Sequence, residues 1–143
     1  SDEAERIIRD NPRVRLAGWQ DNPLPFYAAM DIFCLPTYRE GFGEVNLEAQ
    51  AMGLPVVSTD VIGPRESVEN DVTGFLVPSR SAESVYQALV KLVSDKSLRD
   101  KMGQKGRERV CRLFNRRDMI KAVVQHRLGL LKLSKNPPAM KMD

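Results

Sequence analysis

A chain of 143 residues, 42% hydrophobic and 29% charged, has the size and balance of one soluble globular domain. Its net charge of +3 and pI near 9.0 are a mild excess of base with no basic stripe and interleaved aromatics; this argues against nucleic-acid binding and is compatible with phosphates or an anionic membrane surface. No apolar run reaches the roughly 18 residues of a membrane span, the opening Ser1-Asp2-Glu3-Ala4-Glu5-Arg6 is too polar for a signal peptide, and the cysteines Cys34 and Cys111, without a C-x-x-C spacing and with His126 as the only histidine, argue for reduced cytoplasmic thiols and against a His/Cys metal site.

Residues 1–11 read as the end of a helix, with Ile7 and Ile8 apolar among charges. The alternation from Arg13 to Gly18, with Val14 and Leu16 facing one way, predicts a strand over 13–17. A loop, Gly18-Trp19-Gln20-Asp21-Asn22-Pro23, follows, and Trp19 is expected to anchor the strand end in the core. A short helix from Pro23 to Met30 carries Leu24, Phe26, Tyr27 and Ala28. Ile32 to Leu35 is apolar without alternation, which predicts a strand covered on both faces and places Cys34 in the core. Val45 to Met52 is helical and stops at Gly53, a C-terminal capping residue with Pro55 just beyond. Pro55 to Thr59 and Thr73 to Val77 are further strands, with a short helix from Arg65 to Glu69 between them.

Strands near 13–17, 32–35, 55–59 and 73–77 alternating with helices imply an α/β fold, a Rossmann-like parallel sheet with flanking helices. Ser81 is placed to cap a helix with the stripe Val85, Ala88, Leu89, Leu92 and Val93. Ser97 is expected to cap the next, punctuated by Gly103 and Gly106 and continuing through Val110, Leu113 and Phe114. Asn115 opens a last helix with Ile120, Val123, Val124, Leu128 and Leu131, so the domain runs over 1–133 and residues 134–143, with Pro137-Pro138, form a disordered tail. Lys121, Arg127, Lys132 and Lys135 accompany that last stripe; its plain reading is packing on protein, and the alternative is peripheral contact with an anionic membrane.

One stretch organises the rest: Glu40-Gly41-Phe42-Gly43-Glu44-Val45-Asn46-Leu47-Glu48. It lies between a strand and a helix. Backbone N–H groups at Gly43, Glu44 and Val45 would be unpaired at the helix start, where a phosphate binds well. Gly41 and Gly43 leave the backbone open to a ligand. Glu48 lies about one turn beyond Glu44, and ionised carboxylates at Glu40 and Glu48 only accept hydrogen bonds, so hydroxyls are their natural partners. A phosphate flanked by hydroxyl-bearing groups describes a nucleotide sugar.

Glu40 to Glu48 resembles the E-x7-E signature of the family 4 retaining glycosyltransferases of GT-B fold. Neighbouring segments share the resemblance: Asp31-Ile32-Phe33, Leu35-Pro36-Thr37, Leu47-Glu48-Ala49, Gly53-Leu54-Pro55-Val56-Val57 and Thr73-Gly74-Phe75-Leu76-Val77-Pro78, within a span from about Val14 to about Asn115. The resemblance implies the donor-binding C-terminal lobe of such an enzyme, which transfers a sugar with retention from a nucleotide diphosphate sugar in glycan, polysaccharide or glycolipid synthesis. Glu40 would meet the donor sugar as the catalytic carboxylate, and Glu48 the ribose. Gly41, Phe42, Gly43, Glu44 and Val45 would hold the phosphates. Trp19 and Gln20 would lie against the nucleobase, and Gly63 either near the donor or simply in a left-handed turn. Asn46 either bonds phosphate or is a helix-surface amide.

No metal and no cofactor beyond the donor substrate is implied, and the place of action would be cytoplasmic or peripheral at the inner membrane surface. The family's opening strand of this lobe, and the Arg and Lys that clamp the pyrophosphate, have no match here. The chain therefore reads as a fragment that starts partway into the lobe, with the N-terminal lobe of the same protein as its missing partner and an unpaired sheet edge open to self-association. The other classes are a binding module without catalysis and a GT-B-fold sugar-nucleotide epimerase fragment.

Overall fold

Three of the four expected strands form: β1 (Phe33–Leu35), β2 (Val56–Thr59) and β3 (Gly74–Val77). They pair in the order β1-β2-β3, all parallel, with Cys34 beside Val57 and Val57 beside Phe75. The computed structural model of the chain describes residues 2–114. The expected last helix and the tail over 134–143 lie outside the described residues.

The strand expected over 13–17 does not form. Its hydrogen bonds stay local: the Arg13 N–H donates to the Asn11 side chain at 3.0 Å, and the Arg15 guanidinium to the Pro12 carbonyl at 2.6 Å. Alternation describes how a strand would be half buried, but a strand exists only as one side of a ladder. β1 pairs with β2 alone, so this segment has no ladder among the described residues, and Leu16 is 73% exposed. The same bare edge corrects the expectation for Cys34, which is exposed rather than in the core.

Successive residues of β2 face opposite sides of the sheet. Val56 points to a cluster with Tyr27, Ala49, Leu54 and Val68, supplied by α2 (Leu24–Ala29), α3 (Glu44–Ala51) and the chain beyond them. Val57 points to a second cluster with Val77, Ala88, Leu92 and Met102, under α5 (Ala82–Ser94) and α6 (Lys96–Leu113). α1 (Asp2–Asp10) precedes them all, and α4 (Ile62–Ser67) connects β2 to β3. Fully burying a Val or Leu contributes roughly 1.5–3 kcal/mol, so the two clusters supply the main favourable term for a helix–sheet–helix sandwich. Among the described residues no helix is long and apolar enough to cross a membrane.

Helix ends follow side-chain chemistry. Gly53 takes a left-handed φ of 80° after α3, and the N–H groups of Gly53 and Leu54 return to the Gln50 and Ala49 carbonyls at 2.9 and 3.0 Å, a Schellman closure. Ser81 caps α5 by accepting the Ser84 N–H at 3.2 Å. The cap of α6 is Asp95, not Ser97: its carboxylate accepts the Leu98 N–H at 2.9 Å, so the helix begins two residues earlier than expected. Gly103 and Gly106 do not punctuate this helix, which runs unbroken past both. They let it approach α3, because a side chain at 103 would overlap the Gly53 carbonyl and one at 106 would sit 2.9 Å from Gln50 Cγ. α4 starts at Ile62 rather than Arg65.

Candidate functional site

In a parallel sheet, ligands sit beyond the C-terminal strand ends. At that edge the chain leaving β1 is pinned to β2. The Thr37 N–H donates to Thr59 Oγ1 at 3.1 Å, and the Thr59 hydroxyl donates to the Thr37 carbonyl. The chain then turns through Gly41 and Phe42 into Gly43, the N-cap of α3, which has a left-handed φ of 77° and no side chain closing the helix end. The first N–H groups of a helix have no intrahelical acceptor and carry the positive end of the dipole. They open onto a cleft of about 350 Å³ lined by Glu40, Phe42, Gly43, Glu44 and Val45. All five of these residues were expected at one site from their sequence. Glu40 is half buried, and one of its carboxylate oxygens accepts the Gly41 N–H at 3.1 Å, which fixes the side chain over its own loop.

Glu48 is exposed one turn further along α3. Its Oε2 accepts a hydrogen bond from the Tyr27 hydroxyl at 2.9 Å. Tyr27 is itself buried and meets Phe33 edge-on, with ring centroids 5.7 Å apart. The second glutamate is thus oriented by a tyrosine that sequence reading treated only as an apolar helix residue. Burial first, then the hydrogen bond to Glu48 and its charge, push the Tyr27 phenol up to about 12. With the folded pKa above the ordinary 10.0, this group's contribution to stability is complete below 10.0 and is lost as pH climbs toward about 12. Tyr27→Phe should therefore flatten the fall in unfolding free energy between those two values, measured by denaturant titration; identical slopes in both proteins would contradict the raised pKa.

Gly63 is helical and not left-handed. It lies in the first turn of α4, where a Cβ would stand 2.7 Å from the Gly41 carbonyl and 2.8 Å from that of Glu40. It is a floor under the motif loop. Asn46 is fully buried, not a surface amide, and donates to Ser67 Oγ at 3.1 Å. Trp19 is 90% exposed and its indole N–H donates to Asp21 at 3.2 Å, so the expected core anchor is corrected: without a strand at 13–17 there is no strand end to anchor. The Gln20 side chain turns back to the Ala17 carbonyl at 2.6 Å, and neither Trp19 nor Gln20 lines the Glu40 cleft. Along the same sheet edge lies a larger cavity of about 700 Å³ lined by Pro36, Tyr38, Thr59, Pro78, Arg80 and Ser81, among others; Arg80 stands 5.7 Å from the centre of the Tyr38 ring. Sequence reading passed over this pair, although each residue follows a strand by three positions.

Comparison with known proteins gives the family and the fold. Residues 1–95 match the family model described as glycosyl transferases group 1. The capsular polysaccharide biosynthesis glycosyltransferase CapM of Staphylococcus aureus is 40% identical over 115 residues, which is 80% of this chain and 30% of CapM. Sucrose-phosphate synthase from Thermosynechococcus elongatus superposes with a TM-score of 0.83 at 31% identity, covering 92% of this chain and 35% of that one. HepE of Anabaena, solved in complex with UDP and glucose, superposes with a TM-score of 0.83 at 22% identity over 90% of this chain and 36% of its own, a likeness of fold. The chain thus spans about a third of the length of the proteins it matches.

Proposed function

The chain belongs to the glycosyl transferases group 1 family, and on that premise we propose that its Glu40–Glu48 stretch holds the nucleoside diphosphate sugar donor of a retaining sugar transferase in glycan, polysaccharide or glycolipid synthesis. One observation carries the reading. A cleft opens on an uncapped helix start at Gly43, with a carboxylate at its mouth, Glu40, and a second carboxylate one turn along the helix, Glu48, oriented by Tyr27.

In this reading the N–H groups of Gly43, Glu44 and Val45 receive the diphosphate, and the helix dipole stabilises the charge that gathers on it as the sugar leaves. Glu48 accepts from the ribose hydroxyls with the oxygen that Tyr27 leaves free. Glu40, held by the Gly41 N–H, accepts from the donor sugar and positions its anomeric carbon. Trp19 and Gln20 come against the nucleobase, the exposed indole supplying a flat face. The charge of the phosphates is met by backbone and basic side chains, with no metal assigned. CapM's role in capsular polysaccharide synthesis supports the substrate class, and HepE shows UDP and glucose held by a protein of this fold. Because the chain spans 30% of CapM, the proposal gives the basic groups that complete the diphosphate site to the opening part of this same lobe, and the acceptor to the other lobe.

Glu40→Gln, made in the protein as its gene encodes it, separates donor-sugar contact from nucleotide contact. Turnover should fall by about a hundredfold or more, on the scale of losing one charge-stabilising group, while affinity for the nucleoside diphosphate stays near that of the parent. Loss of nucleotide affinity with turnover intact would reverse the roles given to the two glutamates.

A further inference from the structure

We infer that α4 is the platform that aims the phosphate-facing end of α3, and that Asn46, Ser67 and Arg109 are positioning residues for the donor's diphosphate; this rests on the reading of that helix end as the donor site. Gly63 and Ser67 lie one turn apart on one face of α4, and the motif loop lies on that face. Gly63 meets the Glu40 and Gly41 carbonyls so closely that a Cβ would stand 2.8 and 2.7 Å from them. Ser67 Oγ, together with Asn46 Nδ2, lies under Gly43: a Cβ there would be 3.0 Å from the hydroxyl and 2.9 Å from the amide. The left-handed turn that opens α3 is therefore seated on a single buried hydrogen bond, Asn46 to Ser67, at 3.1 Å.

That bond sits in a network joining three helices. Gln50 donates from one amide nitrogen to the Asn46 carbonyl at 3.0 Å and to the Ser67 carbonyl at 2.8 Å. Asn46, Gln50 and Ser67 are all fully buried, so each missing bond would leave a polar group without water. From α6, Arg109 donates to the carbonyls of Ser67 at 3.2 Å and Glu66 at 3.0 Å, closing the C-terminal end of α4. Its guanidinium also lies 5.2 Å from the centre of the Phe114 ring, and Phe114 in turn meets Phe42 of the motif loop edge-on at 5.8 Å. The loop is thus held at Gly63, at Ser67–Asn46 and at Phe114, and Arg109 ties the last two together. Neither Ser67 nor Arg109 lines the Glu40 cleft, so both act through the backbone they hold.

A network that only stabilised the fold would, when weakened, lower all ligand affinities together. One that aims the helix start affects the diphosphate and spares the nucleoside. The test measures binding of UDP, with GDP and ADP alongside, and of the matching nucleosides, by titration of the protein as its gene encodes it. Ser67→Ala removes the acceptor of Asn46, and Arg109→Met keeps the stem but removes both bonds to α4. Each should weaken the preferred diphosphate about tenfold and leave its nucleoside unchanged, with Arg109→Lys recovering part of the loss. Parallel weakening of both ligands, or no change in either variant, overturns the inference while leaving the donor reading standing. A parent protein that binds none of these nucleotides overturns the donor reading itself, and the inference with it.

Discussion

Glu48→Gln is expected to weaken nucleoside diphosphate binding about tenfold to a hundredfold, because a hydrogen bond to a charged group contributes roughly 1.5–3 kcal/mol. The structure sharpens the reason. Tyr27 donates to one oxygen of the carboxylate at 2.9 Å. A glutamine that keeps its oxygen on Tyr27 turns its NH2 toward the ribose, setting a donor against hydroxyls that need an acceptor. One that turns its oxygen to the ribose sets its NH2 against the buried phenol. Either way one hydroxyl can only accept from the amide, and its own O–H loses the charged acceptor. A 2′-deoxyribose nucleotide should lose less affinity in the variant than the ribose nucleotide does, since its contact is already reduced. Calorimetric titration of both nucleotides against both proteins checks this. Equal affinity of parent and variant for the ribose nucleotide would remove Glu48 from the site.

Gly103→Ala should be the most destabilising single-methyl change on α6. In an exposed helix interior the change would stabilise by about 1 kcal/mol. Here the added methyl overlaps the Gly53 carbonyl at the Schellman end of α3, a backbone group that cannot rotate away. α6 must lift from α3, and Met102, buried in the second cluster, moves with it. Overpacking of this kind costs about 1–3 kcal/mol, and a net loss near 2 kcal/mol lowers Tm by about 8 °C in a domain of this size. Gly41→Ala is the control. Nothing lies within 4 Å of the added carbon there and no positive φ is imposed, so its Tm should match the parent. A Gly103→Ala protein as stable as the Gly41→Ala protein would mean that the two helices are not locked at this contact.

What could be read in the sequence was what local chemistry decides. β1, β2 and β3 announced themselves as short apolar runs bounded by turn residues, and their parallel order followed from the helices between them. The cleft residues Glu40 to Val45 were legible for the same reason, since a strand, a glycine loop and a helix start occupy one continuous stretch. Residues 13–17 misled because alternation says nothing about whether a neighbouring strand is there to pair with; Cys34 and Trp19 were misplaced as a consequence. Asn46 was misread because helix position alone does not reveal which face is covered, and α4 covers it through Ser67. The supports of the site were out of reach altogether. Tyr27 meets Glu48 across 21 positions and Arg109 meets Ser67 across 42, and no spacing rule spans such distances. The caps divided on similar lines. Ser81 was legible, but the reading that took Ser97 as the cap of α6 missed Asp95, whose carboxylate accepts the Leu98 N–H.

The central claim is that the start of α3 receives a nucleoside diphosphate. At 16.1 kDa the chain suits amide-resolved NMR, which detects weak binding residue by residue. Titration with UDP, GDP and ADP should move the backbone amides of Gly43, Glu44 and Val45 most for the preferred nucleotide, with Glu48 and the Tyr27 ring following and the far ends of the strands still. If the largest shifts fall instead around Tyr38 and Arg80, or no amide near Gly43 moves at saturating nucleotide, the helix start is not the diphosphate site.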